Sequence, residues 1–286
     1  MSQVLLNQML RAFLIALLAA LPVFSADWVE YRSGPFHVYS NAGDRKGREA
    51  LTELEQLRFV LGGLVGKAEM TALWPINVVL FQNQKEYGPH VLPTPLVDGG
   101  ASTLAAWTAD ASKTDPLPRD LLRAVTLLLL HDNAGRMAPG METGLADLFS
   151  TIEVNATHVS VGTLPAKGEL SGDRLRIWTK LQMLTTQPEY AGKLRVYLNN
   201  LQQAGGEDVA VRNAYDTTPA KLEERVDAYA KAGKFEAAPV TGRAINPNRD
   251  YVEKEVAKTA MDALIAELDA KGKSFPPDSP RGLLAK

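Results

Sequence analysis

With 286 residues, 45% of them hydrophobic and 22% charged, the chain has the composition of a soluble globular protein and the length for one large domain or two small ones. A net charge of -2 without a basic patch argues against nucleic-acid binding. The absence of cysteine excludes disulfides, thiol nucleophiles, thiolate metal sites and a lipid-modified N-terminal cysteine.

The chain opens on a targeting pattern. Arg11 precedes an apolar run over residues 12–21, and the small residues Ser25 and Ala26 precede Asp27, which predicts a secretory signal peptide over residues 1–26. The run is shorter than the ~20 apolar residues that span a bilayer. No later segment is long and apolar enough to span, so a periplasmic or secreted protein without a stable membrane span is expected once the signal is removed. Residues 36–40 alternate as a strand. Leu51, Leu54, Leu57, Leu61 and Leu64 recur at helical spacing and predict a helix over residues 44–66. Residues 74–81 read as a second strand, 92–100 as a Pro- and Gly-rich loop, and 101–108 as a third strand at a sheet edge.

A buried helix follows over residues 119–131, a second helix over 141–152 and a short strand over 157–162. From Asp173 onward the pattern is helical, over residues 173–186, 189–203, 207–215, 219–232 and 251–270. Residues 236–248 read as a linker, and the proline-containing tail 275–286 as loosely held. The expected organisation is an α+β part over residues 27–163, a helical part of the same domain over 164–236, and a linker and helical tail over 237–286. The tail helix is amphipathic, which fits either packing against the domain or part of a truncated helical repeat that meets a partner.

Five local sequences appear in order: Phe36-His37-Val38-Tyr39-Ser40; Leu54-Glu55-Gln56-Leu57-Arg58; Val78-Val79-Leu80-Phe81 followed by Tyr87; Gly144-Leu145-Ala146-Asp147-Leu148-Phe149-Ser150; and Tyr215-Asp216-Thr217-Thr218-Pro219 followed by Tyr229. Together they make residues 28–235 resemble the bacterial peptidase-MA-like family, whose members are gluzincin-type zinc metallopeptidases. The resemblance implies a zincin-like domain with a small mixed sheet and active-site-type helices, followed by an all-helical C-terminal part. It also implies a His-Glu-x-x-His helix, in which two histidines four apart reach one zinc and the glutamate takes a proton from the metal-bound water. A glutamate from the next helix completes three ligands and leaves one position open.

This chain departs from that pattern. His131 stands at the first ligand position, Asp132 at that of the base, Gly135 at the second histidine, and Thr143 at the glutamate directly before Gly144. These four are vestigial positions, and no catalytic, cofactor or metal residue is expected. Glu142 and Asp147 are nearby carboxylates. His37, His90 and His158 read as ordinary residues. The expected function is an exported, catalytically inactive peptidase-like protein serving as a binding or scaffold module, with an envelope protein or an extended peptide added to a sheet edge as partner. The alternative is an active zinc-dependent peptidase with atypical ligands, the one case that calls for zinc. A third reading is a structural helper of an active relative.

Overall fold

The computed structural model describes residues 28–110, 117–135, 137, 140–155, 158–203 and 206–274; the segment read as a signal peptide and the tail beyond residue 274 lie outside them. It is a mixed α+β fold. Strands β1 (Trp28–Ser33) and β2 (Phe36–Ser40) form a hairpin, and helix α1 (Asp44–Val65) follows. Next come β3 (Ile76–Phe81), the short helix α2 (Gln84–Tyr87), β4 (Val97–Asp98) and β5 (Thr103–Thr108). Helices α3 (Arg119–Asn133) and α4 (Met141–Phe149) lead to strands β6 (Glu153–Asn155) and β7 (His158–Val161). Helices α5 (Gly172–Thr186), α6 (Lys193–Gln202), α7 (Glu207–Tyr215) and α8 (Pro219–Ala232) come next. The described residues close with β8 (Ala238–Thr241), the short α9 (Pro247–Asp250), β9 (Val252–Val256) and α10 (Lys258–Ser274).

Six strands make one sheet in the order β4-β5-β3-β2-β1-β9, and β6-β7-β8 make a second. β2, β3 and β5 run parallel; the hairpin partner β1 and the outer strands β9 and β4 are antiparallel to their neighbours. The period-two alternation sets the faces. Tyr31, Phe36, Val38, Ile76, Val78, Leu80 and Ala105 point into the main core, where they meet Leu51, Leu54, Leu57 and Leu61 of α1. Each fully buried aliphatic or aromatic side chain there contributes about 1.5–3 kcal/mol. α1 lies close on the sheet because Gly47 has no side chain: a Cβ there would stand 2.3 Å from the Tyr31 ring.

The C-terminal part corrects the sequence reading. It is not all helical, and the region read as a linker and repeat-like helix is built into both sheets. β8 pairs with β7, and β9 adds to the edge of the main sheet beside β1. α10 then crosses the opposite sheet face, where Met261, Leu264, Ile265 and Leu268 cover Trp28, Val79, Phe81 and Leu104. Val252 and Val256 are four apart, a spacing that puts both on one face of a helix or of a strand alike. The free edge of β1 decided for strand. The segment between β8 and β9 is stitched to α1: Gln56, fully buried, donates to the Arg243 carbonyl at 2.7 Å and accepts from the Arg243 N–H at 2.8 Å. The third strand is not the outermost, since β4 lies beyond it, but β4 pairs only with Thr103 and Leu104.

Candidate functional site

The four vestigial positions fall at the junction of α3, α4 and the loop that enters β3. α3 is apolar on almost every side, and Leu121, Leu122, Val125, Leu129 and Leu130 are buried. It ends at Asn133, and Ala134 leaves the helix in an extended conformation (φ -80, ψ 146). His131 is exposed in the last turn, where a cationic or polar imidazole complements the negative end of the helix dipole.

Gly135 therefore lies beyond the helix. It is not one turn along from His131 on a continuous helical face, and the space beside it faces Gln202 of α6, whose Cβ would be 3.7 Å from an added Cβ. Thr143 sits exposed in the first turn of α4 and donates its hydroxyl to the Gly140 carbonyl at 2.8 Å. It serves the helix start.

The residues at the base position are engaged elsewhere. Asp132 Oδ2 accepts from the Leu73 backbone N–H at 2.8 Å. Its neighbour Asn133, buried, accepts from the Thr71 N–H at 3.0 Å and donates to the Thr71 carbonyl at 2.5 Å and to the Leu129 carbonyl at 2.8 Å. These two side chains fasten the loop over residues 71–73 to the end of α3. At the end of the fastened loop Leu73 is 76% exposed and the next residue, Trp74, 47% exposed, an aliphatic and an aromatic side chain held out into solvent on an anchored backbone. Asn133 and the loop were missed in the sequence. The one available signal was the pair of short hydrogen-bonding side chains, Asp132-Asn133, closing an otherwise apolar helix.

Of the nearby carboxylates, Asp147 is also committed. Asp147 of α4 is 2% exposed and takes two arginines. Arg123 Nε of α3 donates to Oδ1 at 2.7 Å, and Arg174 of α5 donates to Oδ2 through Nε and to Oδ1 through Nη2, both at 2.6 Å. The hydrogen bonds to Asp147 push the Arg174 guanidinium pKa up against the opposing effect of desolvation. The three helices are thus tied by one charge cluster. α4 and α5 cross closely at Gly144, where a Cβ would stand 2.4 Å from Ile177 and 2.8 Å from Leu181. The Gly144-Leu145-Ala146 segment accordingly has a packing role. Glu142 lies in the first turn of α4, a position that the helix dipole favours for an acid.

The remaining histidines sit apart from this junction. His37 Nδ1 is 2.8 Å from Glu30 Oε1, and burial lowers its pKa against the pull of that carboxylate. His90 Nδ1 is 2.8 Å from Asp269 of α10, and its ring stacks on Phe81. His158 is exposed on β7. Among the described residues, no group of three or more His, Asp or Glu side chains is placed to hold a metal ion, and no helix is long and apolar enough to cross a membrane. The donor set at positions 131, 132, 135 and 143 does not fit a zinc ion bound as the resemblance implies: one imidazole, one carboxylate tied to a backbone amide, one side chain lacking and one neutral hydroxyl. Compared with known protein families and with curated proteins, the chain matches none.

Proposed function

We propose that this chain is an exported, peptidase-like protein that binds a partner and does not hydrolyse peptides. The observation that carries the reading is the Asp132–Asn133 clamp. The carboxylate at the base position is spent on the Leu73 N–H, and the adjacent amide on Thr71. A general base must reach the proton that it abstracts, whereas here the carboxylate holds a loop. The loop so held displays Leu73 and Trp74, a pair suited to anchoring in an apolar pocket of an envelope protein. Fixing the backbone before binding lowers the entropy that association costs.

The test is equilibrium dialysis of the exported form against zinc, run beside an assay with unstructured peptides. The proposal expects no stoichiometric zinc and no hydrolysis above the protein-free rate. One tightly held zinc that is lost in His131→Ala, together with zinc-dependent hydrolysis, would overturn it and establish a peptidase with atypical ligands.

A further inference from the structure

A groove of about 680 Å³ opens far along the chain from the vestigial positions. One wall is the loop between β7 and α5, and the other is the outer face of α5 with the end of α8. Leu164, Lys167, Leu175, Arg176, Ala230 and Phe235 are among its lining residues, and none of His131, Asp132, Gly135 or Thr143 is. The volume lies within the roughly 300–1,000 Å³ of ordinary small-molecule sites. Leu164 (46%) and Leu175 (37%) stay exposed on its walls. Exposed aliphatic side chains gathered along one concavity mark a binding surface more strongly than scattered ones do.

The charges along the groove are of one sign. Its only charged lining residues are Lys167 and Arg176. The Arg176 guanidinium is already matched, to Glu223 at 2.7 Å and to Asp227 at 2.5 Å. No carboxylate stands within ion-pairing distance of Lys167 among the described residues, and the groove lining contains no acid. The site thus combines a mostly apolar groove with one unmatched cation. An extended peptide fits this poorly, since each residue brings a backbone N–H and C=O that need partners, and Thr179, the one hydroxyl side chain in the lining, is 3% exposed. A single aliphatic chain brings no such groups.

We propose that the groove binds a monomeric medium-chain fatty acid, with its alkyl chain along Leu164, Leu175 and Phe235 and its carboxylate at Lys167. This inference is independent of the reading of the Asp132 clamp, because the two share no residue. The test is calorimetric titration of the full chain with octanoate, decanoate and dodecanoate, each below its micelle concentration. One equivalent should bind, with affinity rising about fourfold per added methylene. Lys167→Glu should weaken dodecanoate about fivefold and leave decan-1-ol unchanged. Ala230→Trp, at an exposed lining position, should fill the groove and remove binding without moving the thermal transition. Absence of binding by all three acids, affinity that does not grow with chain length, or full binding by Ala230→Trp would each overturn the proposal. So would displacement of bound dodecanoate by an uncharged leucine-rich peptide that binds more tightly, which would make the groove a peptide site.

Discussion

Two aspartates, one at the end of α3 and one bound to Arg123 of the same helix, do different things. Asp147 is buried and joins α3, α4 and α5 through two guanidinium groups. Asp132 is half-buried at the end of α3 and holds one backbone N–H of a surface loop. On sequence alone Asp132 stood at the vestigial base position and Asp147 was a nearby carboxylate. The difference teaches that a carboxylate's role is set by what its neighbours have left unsatisfied. Two cations at a helix junction claimed one, and an unpaired amide at a loop claimed the other. The first is a matter of stability, the second of presentation.

Removing Asp147 should produce the largest effect. Asp147→Ala leaves Arg123, itself buried, without its counter-charge, so the protein should lose about 3–5 kcal/mol in urea unfolding. A loss below about 1 kcal/mol, the scale of an exposed pair, would erase the contrast between the two aspartates.

An alkaline ramp probes stability that depends on neither aspartate. Burial pushes the Tyr39, Tyr197 and Tyr251 phenols up to about 12, and pushes Tyr31 and Tyr215 higher still. An unfolded phenol ionises near ~10. The folded pKa is raised, so the stabilisation is fully present below that value and is lost as pH rises through the folded pKa values. Phenolate absorbance should therefore lag behind that of the unfolded chain and then rise together with loss of structure. The lag should be the same in wild type and in Asp132→Ala.

The clamp should give the next effect. Asn133→Ala removes the bonds to Thr71 and leaves both of its backbone groups unpaired, for about 1–3 kcal/mol. Asp132→Ala removes one bond from a half-exposed group and should cost about 1 kcal/mol. Thermal or urea unfolding that ranks them in the reverse order would show that the loop hangs mainly on the aspartate. Smallest of all, Thr143→Ala should stay within about 0.5 kcal/mol, since its exposed hydroxyl serves only the first turn of α4.

Much of this layout was legible in the sequence. The leucine spacing located α1 to within a residue of its end, and the alternation over residues 36–40 gave β2 with its buried face. α7 and α8 fall at their expected bounds. What failed was non-local. Strand β9 has little to mark it beyond two valines around three charged residues, and only the unpaired edge of β1 makes it a strand. Its charges also blunt the sheet edge that it forms. The same holds at the candidate site. The departures at positions 135 and 143 could be read from residue identity, but the end of α3 before Gly135 could not. Nor could the use of Asp132, because the Leu73 amide lies far from it along the chain.

The central claim is that Asp132 secures a loop and that its helix end does not present a metal. Titrating the isotope-labelled protein with zinc, while following the Leu73 amide and the His131 ring by NMR, addresses both halves together. The account predicts that the Leu73 N–H exchanges slowly with solvent, that Asp132→Ala speeds its exchange, and that one equivalent of zinc leaves both the amide and the His131 ring signals where they were. A Leu73 amide that exchanges freely in the wild type, with His131 ring signals shifting to saturation at one equivalent of zinc, would contradict it.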